Sequence, residues 1–199
     1  MDIEVYDNLL DKSVADQISG EMSALKWEFE HYSTSNVFKP NIHWHIPCGD
    51  SLDNVKNMGY DDIILPIWEA AIKKVKNVSI GRCYMNAHTH GMEPHIHRDD
   101  GDITMIYYPR MNWKMEWGGG TSVYDNDIET EILRHVPYVG NRLLTFRADL
   151  PHQAMPVARE CYELRTNVVF KCNVVDQAKK TIDFYKNAIG QGNYKIKFA

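Results

Sequence analysis

The chain has 199 residues, a formal net charge of −5 and an isoelectric point near 6.0. Hydrophobic residues make up 44% and charged residues 25%, which is the balance of a folded globular protein and excludes collagen-like and disordered chains. The acidic balance disfavours a nucleic-acid partner, because such binding uses Lys and Arg to neutralise phosphates. The densest basic run, residues 73–76, closes a predicted helix. The longest apolar run, residues 63–68, is too short to span a bilayer, so we expect no membrane partner.

The N-terminus and the cysteines bear on the compartment. Residues 1–4 are acidic and lack the basic region and apolar core of a secretory signal. The cysteines are widely spaced and form no CxxC pair: Cys48, Cys83, Cys161 and Cys172. We therefore expect free thiols and a cytoplasmic protein. Without repeats or a linker, residues 1–199 read as one domain.

The N-terminal part, residues 1–77, is predicted to be a helical support for the rest of the chain. Ser13 followed by Asp16 resembles a capping box with Asp in place of Glu. Apolar residues then recur at helical spacing, at Val14, Ile18, Met22 and Leu25. A second helix is predicted over residues 62–76, and residues 30–60 between the two helices read as loop with short strands.

From Val78 onward, short β-prone runs alternate with turn residues. The predicted strands are residues 78–85, 93–98, 103–108, 120–124, 142–146 and 163–172. Closely spaced strands with this punctuation predict a sandwich or barrel core over residues 78–172. A C-terminal helix is predicted at 176–188, within a tail of residues 173–199. The fold class is therefore mainly β with flanking helices.

A histidine- and aspartate-rich stretch suggests a metal site. If residues 93–98 extend as a strand, His95, His97 and Asp99 share one face, with neighbours about 6.6 Å apart. Two neighbours can hold one ion but all three cannot, so the pair is either His97 with Asp99 or His95 with His97.

A third ligand must come from elsewhere, and His152 follows the predicted strand at 142–146. Two histidines and one carboxylate form the facial triad of non-haem iron(II) oxygenases, which favours His97, Asp99 and His152. His95 is then left to orient Asp99 or substrate. The alternatives are a surface zinc site and a cupin site, although the usual cupin glycine spacing is missing. The zinc site would use His88, His90, His95 and His97.

Arg165 lies on the last predicted strand, where Leu164, Thr166, Val168 and Phe170 read as the core-facing set. Arg165 and Asn167 point to the other face, either into solvent or into a pocket. If a dicarboxylate chelates the metal through one end, a planar guanidinium suits its second carboxylate. Arg165 is therefore the candidate for that contact.

Several short motifs occur in one order along the chain. They are residues 81–84, 97–99, Tyr108, 117–121, 137–142, Phe146, 151–157 and Arg165. This order resembles the iron(II)/2-oxoglutarate oxygenase superfamily, and most closely its prolyl 4-hydroxylase-like branch. The resemblance implies a double-stranded β-helix (jelly-roll) fold and iron held by His97, Asp99 and His152. It also implies 2-oxoglutarate held by Arg165, with further contacts from Tyr84 and Thr121.

The implied reaction is oxidative decarboxylation of 2-oxoglutarate coupled to hydroxylation of a C–H bond by dioxygen, with ascorbate as an accessory reductant. Two features depart from the family pattern. The step from His152 to Arg165 is longer than usual, and many prolyl 4-hydroxylases carry Lys where this chain has Arg165.

The resemblance makes a peptidyl proline the leading substrate, with a free amino acid or another small molecule as the alternative. Four aromatic residues, Trp44, Tyr107, Trp113 and Trp117, are predicted to line a cleft that would suit a proline-rich peptide. A non-catalytic module that binds metal or 2-oxoglutarate is the alternative from a different class.

Overall fold

The computed structural model describes residues 3–32, 42–92, 94–125 and 131–175, and the predicted helix at 176–188 lies outside these ranges. The strands are β1 (Glu4–Asp7), β2 (Glu28–Tyr32), β3 (Ile42–Gly49), β4 (Val78–His88), β5 (Ile103–Tyr108), β6 (Thr121–Tyr124), β7 (Ile132–Val136), β8 (Arg142–Arg147), β9 (His152–Ala154) and β10 (Arg165–Val174). The helices are α1 (Lys12–Ala24), α2 (Leu52–Asn57) and α3 (Asp61–Lys74).

The strands form two antiparallel sheets. The large sheet has the order β1-β8-β5-β10-β4-β3-β2, and the small sheet has the order β7-β6-β9. β10 is central, since it pairs with β4 on one side and with β5 on the other. The predicted mainly-β jelly roll with flanking helices is confirmed.

The helices cover one face of the large sheet. α3 presents Ile64, Ile67 and Trp68 to the core residues of β4, β5 and β10, and the Trp68 and Phe170 rings lie 5.4 Å apart. Acidic residues in its first turn and lysines in its last turn suit the helix dipole. The helix predicted at 62–76 is therefore confirmed within the usual uncertainty of helix ends.

The other face of the large sheet packs against the small sheet. Ile106, Phe146 and Val169 from the large sheet meet Val123 and Val136 from the small sheet in a second buried cluster. Side chains on both faces of β10 are therefore buried, and its burial is complete from Arg165 to Cys172. This arrangement turns every second side chain of the strand towards the space between the sheets.

Two local predictions were wrong or incomplete. Ser13 lies inside α1, whose N-cap is Asp11 with no side-chain cap hydrogen bond, so the capping box does not form. Residues 30–60 were predicted as loop with short strands, and their described part contains the strand β3 but also the helix α2, which was not predicted. β3 was not recognised as a full strand because the polar His43 and His45 interrupt the pattern of alternating apolar residues, although Ile46 and Cys48 are buried.

The strand predicted at 93–98 does not form in the described residues. Only His97 pairs, through a single bridge with His152, and Asp99 donates its N–H to Ala148 O. Pro94 has no N–H to give to a ladder, which favours a loop here. The N-terminal 77 residues, predicted as helical, also contribute three strands to the large sheet. No helix of the described ranges has the length and apolarity needed to cross a membrane.

Asn141 ties the N-terminal segment to β8. It is 2% exposed, has a φ of 61°, accepts from Leu10 N–H (2.9 Å) and donates to Leu10 O (2.8 Å). The Tyr107 hydroxyl donates to the same side-chain oxygen at 3.2 Å. The backbone of Asn141 lies in the left-handed region, and its buried side-chain amide joins two segments that lie 131 residues apart in the sequence.

We predict that Asn141→Ala lowers the free energy of unfolding by roughly 2–4 kcal/mol, because it strains the backbone and leaves buried groups unpaired. Asn77 also has a positive φ (60°) but is exposed, so Asn77→Gly should change the stability by less than about 1 kcal/mol. Urea denaturation measures both values. Equal effects of the two substitutions would contradict the role given to the Asn141 side chain.

Candidate active site

A cavity of about 220 Å³ lies between the two sheets. Residues from β3, β4 and β10 of the large sheet, from β6 and β9 of the small sheet, and from the loop before β5 line it. Strand alternation explains why so many polar groups meet there. The cavity-facing set on β4 and β10 is Arg82, Tyr84, Asn86, His88, Arg165, Asn167, Val169 and Lys171.

Three potential metal ligands meet at one wall of the cavity. The ligand atoms of His97, Asp99 and His152 all lie within 4.8 Å of one another. His97 Nε2 is 3.7 Å from Asp99 Oδ1, and His152 Nε2 is 3.4 Å from Asp99 Oδ2. The backbones of the two histidines exchange a pair of hydrogen bonds, of 3.0 and 2.8 Å. This single bridge brings a loop of the large sheet to β9 of the small sheet.

Both imidazoles are oriented through their Nδ1 atoms. His97 Nδ1 lies 3.0 Å from His95 O, and His152 Nδ1 lies 3.0 Å from Leu150 O. Since a carbonyl oxygen only accepts, each Nδ1 carries the proton and each Nε2 keeps a lone pair. This tautomer leaves both Nε2 atoms able to bind a metal.

Asp99 is a buried carboxylate, with a side chain only 2% exposed. The Thr104 hydroxyl donates to Oδ2 at 2.7 Å, and Lys171 Nζ lies 3.0 Å from Oδ1. Burial alone would raise the pKa of Asp99, but His152, then Lys171 and His97, outweigh it and hold the pKa well below its ordinary value. The group is therefore ionised at neutral pH.

The donor set fits iron(II). Asp99 Oδ1 is buried and receives no hydrogen bond of good geometry from the described residues, although the Lys171 charge is near. Two neutral imidazoles and one carboxylate are the ligands of non-haem iron(II) sites. The arrangement can hold such an ion and leave other coordination positions facing the cavity.

Arg165 lies deeper in the cavity and is 0% exposed. Its Nε donates to Gly119 O, its Nη2 to Gly120 O (3.4 Å) and its Nη1 to His88 Nδ1 (3.3 Å). Within the described ranges, the guanidinium forms no ion pair with a carboxylate. Burial lowers the pKa of Arg165, although an arginine remains charged in proteins.

A glycine allows this close packing around the guanidinium. Gly119 has a φ of 73°, and a Cβ there would lie 3.1 Å from Trp113 Cζ2 and 3.2 Å from Arg165 Cδ. A larger residue would therefore be strained and would push Arg165 away from its carbonyl partners.

The two further candidates, Tyr84 and Thr121, also line the cavity. The Thr121 hydroxyl accepts from Tyr108 OH at 2.7 Å. The Tyr84 hydroxyl makes no hydrogen bond to any described residue, and burial, then Asp99, raises its pKa well above the usual value. Tyr84 thus keeps a protonated donor available for a ligand.

Within the described ranges, His88, His90 and His95 do not form a metal-binding cluster. His88 is buried against Arg165, and burial, then that cation, lowers its pKa well below the ordinary value. His90 is exposed, and His95 contributes its backbone carbonyl to His97. Among the residues described, the predicted alternative zinc cluster is not assembled.

The aromatic cleft predicted from the sequence is not present at this cavity. Neither Trp44, Tyr107, Trp113 nor Trp117 lines it. Tyr107 is 0% exposed in the core against the helices, and Trp117 packs on Val157 and Cys161. These side chains stabilise the fold instead of forming the cavity wall.

Sequence reasoning gave no role to several polar residues of the cavity, namely His43, His45, Arg82, Asn86, Asn167 and Lys171. A usable signal was present in β4 and β10, because polar residues alternate there with apolar or small ones. Asn167 illustrates the result, since it is 5% exposed and its Oδ1 is unpaired within the described structure.

Comparison with known families agrees with this geometry. Residues 78–170 match the family model of the 2OG-Fe(II) oxygenase superfamily. The matched range spans 93 of the 199 residues, just under half of the chain. This match confirms the resemblance noted in the sequence, and it favours an enzyme of the 2-oxoglutarate-dependent oxygenase class.

Solved structures similar to this chain share its fold at low sequence identity. A prolyl hydroxylase from Trichoplax adhaerens, in complex with a hypoxia-inducible-factor peptide fragment, is 18% identical with a TM-score of 0.56, covering 90% of this chain and 86% of its own. A prolyl-4-hydroxylase from Pseudomonas putida is 16% identical with a TM-score of 0.52 (87% and 92%).

HygX from Streptomyces hygroscopicus, with nickel and 2-oxoglutarate bound, is 10% identical to this chain with a TM-score of 0.56, covering 86% of this chain and 82% of its own. A comparison with curated proteins finds no match to the chain. The superfamily uses iron(II) and 2-oxoglutarate, so the remaining questions are which residues hold them and which substrate is oxidised.

Proposed function

We propose that this oxygenase hydroxylates a C–H bond with iron(II) held by His97, Asp99 and His152 and with 2-oxoglutarate anchored by Arg165. The observation that supports this most is the pairing of two features in one cavity. A His–Asp–His set lies at one wall, and a buried guanidinium without a carboxylate partner among the described residues lies at another.

The charge of Arg165 argues for an anionic ligand. Burying a cation away from water is costly unless an opposite charge or several hydrogen bonds offset that cost. Two carbonyls and one imidazole partly satisfy the guanidinium. A dicarboxylate that chelates the metal at one end can bring its second carboxylate to this cation, and bidentate pairing would make the contact strong.

The chain's own residues prepare the site in several ways. The carbonyls of His95 and Leu150 hold the two imidazoles in the metal-binding tautomer. Thr104 fixes one oxygen of Asp99. The Tyr84 hydroxyl can donate to an oxygen of the bound co-substrate. Thr121, which also lines the cavity, is held in place by the hydrogen bond that it accepts from Tyr108. The iron, when bound, supplies the oxidising power of the reaction.

We propose that the substrate is a small polar molecule, such as a free amino acid. The cavity is compact, and its outer wall carries His45 and Asn86, whose Nδ1 and Oδ1 lie 2.7 Å apart. The aromatic side chains expected to stack on proline do not line it. Peptidyl proline is the second candidate, because two similar structures are prolyl hydroxylases and one of them is in complex with a peptide.

Two further expectations concern the accessory reductant and the cellular compartment. Ascorbate as an accessory reductant and a cytoplasmic location stay predictions. The four cysteines are free thiols in the structure and are all buried, which is compatible with a reducing compartment.

Replacing Asp99 by Ala should abolish iron-dependent turnover of 2-oxoglutarate, because it removes the only carboxylate of the set. His95→Ala is the matched control and should retain turnover, since His95 orients His97 through its backbone. The measurement is succinate release, together with iron bound per chain. Full activity of Asp99→Ala with loss in His95→Ala would show that the ligand set is wrong.

Arg165→Ala should weaken 2-oxoglutarate binding by about ten- to a hundredfold or more, since a charge-assisted contact contributes roughly 1.5–3 kcal/mol. Arg165→Lys should recover part of the affinity, because it keeps the charge but loses the planar fork. Calorimetric titration with the metal-loaded protein measures both. Metal affinity is the control and should change little; an unchanged 2-oxoglutarate affinity in Arg165→Ala would refute the anchor.

A mass-spectrometric screen with iron, 2-oxoglutarate and ascorbate tests the substrate class. We expect a gain of one oxygen on a free amino acid or similar polar metabolite. Proline-rich peptides and methylated single-stranded oligonucleotides are the competing arms. Oxidation of the peptides alone would favour the prolyl substrate, and demethylation of the oligonucleotides would overturn both. Absence of any 2-oxoglutarate decarboxylation, coupled or uncoupled, would favour a non-catalytic binding module.

A further inference from the structure

Lys171 is a nearly buried cation shared by two carboxylates. Its side chain is 10% exposed, and Nζ lies 3.0 Å from Asp99 Oδ1 and 2.7 Å from Asp100 Oδ1. Asp100 is different in character, because its side chain is 69% exposed and it also pairs with Arg82 at 2.7 Å. The ammonium therefore bridges a buried site residue and a solvated surface residue.

The position of Lys171 is determined by the sheet. It faces the cavity from β10, six residues after Arg165, beside Tyr84 of β4, with Nζ 5.8 Å from that ring centre. Asp99 cannot move away from it, because Thr104 holds Oδ2 and the Asp99 N–H is bonded to Ala148 O. Lysine and aspartate are thus held together by different parts of the fold.

A dication bound to Asp99 changes the energetics of this pair. The ammonium stabilises the ionised carboxylate, but it repels a second positive charge that arrives at the same oxygen or its neighbour. Such repulsion is large where water is excluded and small in bulk water. When Asp99 binds the metal, Asp100 can still balance the charge of the Lys171 ammonium.

We propose that Lys171 is an internal counter-ion that competes with the metal for Asp99, and that Asp100 reduces this competition by binding the same ammonium. Lys171 and Asp100 together would set how tightly the site holds its metal. This inference rests on the metal site proposed above and goes beyond it, since it assigns these two residues a part in metal affinity.

The test is a titration of the purified protein with Mn(II), followed by electron paramagnetic resonance without 2-oxoglutarate. Lys171→Met removes the charge and keeps the apolar length of the side chain. We expect it to tighten Mn(II) binding by roughly tenfold, because the repulsion is lost. Lys73→Met, at an exposed lysine of α3, is the matched control and should leave the affinity unchanged.

Asp100→Asn should act in the opposite direction. It removes the second partner of the ammonium and a nearby negative charge, so Mn(II) binding should weaken by roughly three- to tenfold. Asp100 is largely exposed, so this variant should fold even if Lys171→Met does not. Combining the two substitutions should recover much of the loss, since without Lys171 no ammonium is left for Asp100 to hold.

Thermal melting separates this role from a structural one. Without metal, Lys171→Met should lower the melting temperature, because Asp99 loses its counter-ion. Added Mn(II) should then raise it by more than in the parent protein. Weaker or unchanged Mn(II) binding in Lys171→Met would overturn the inference, as would tighter binding in Asp100→Asn. Failure of the parent protein to bind Mn(II) at all would instead contradict the metal site itself.

Discussion

The cavity depends on one constraint, which is that the central strand β10 has no face towards solvent. Helices cover one side of the large sheet and the small sheet covers the other, so every side chain from Arg165 to Cys172 is buried. In most strands such burial selects apolar residues on both faces. Here one face carries Thr166, Val168 and Phe170, while the other carries Arg165, Asn167 and Lys171 in a shared cavity. Buried charges need opposite charges or hydrogen-bond partners, and the cavity brings those groups to Arg165 and Lys171.

The two cations of β10, Lys171 and Arg165, have different surroundings. Lys171 lies between Asp99 and Asp100, so its charge is balanced within the chain. In the described structure, Arg165 forms hydrogen bonds only with two carbonyl oxygens and a histidine, and its guanidinium lies 5.9 Å from the ring centres of Tyr108 and Tyr138. A folded protein tolerates a buried charge of this kind at some cost in stability, which a bound anion can offset. Lys171 is therefore suited to adjust the charge of the site, whereas Arg165 is suited to bind an anionic ligand.

The small sheet completes the site from the opposite side. β9 brings His152 to His97 through a single bridge, and the same pairing aligns both Nδ1 atoms with backbone carbonyls. Two backbone hydrogen bonds join the sheets at this bridge, while separate contacts of each Nδ1, with His95 O and Leu150 O, orient the imidazoles. The positions of the proposed metal ligands therefore depend on the packing of the two sheets, so a substitution that loosens β9 should disturb the site without changing a ligand atom.

The amino-acid sequence by itself determined much of this protein. The strands β4, β5, β6, β8 and β10, the helix near 62–76 and the order of motifs were readable, because periodicity and short motifs are local properties. The residues His97, Asp99, His152 and Arg165 could be proposed as site residues from the chemistry of their side chains, and all four line one cavity. The alternation on β10 even indicated that Arg165 and the apolar set point to opposite faces.

Only the tertiary structure decided what these side chains contact. The strand predicted around His97 is a loop, and a pairing with a residue 55 positions later holds the histidine in place. Whether Arg165 met solvent or a closed cavity depended on the packing of the small sheet, which no local pattern encodes. The aromatic residues assigned to a cleft instead fill the core or pack outside the cavity, and Lys171 acquired its two carboxylates only through folding. Contacts between distant segments come from sheet order and register, and a single sequence does not specify these locally.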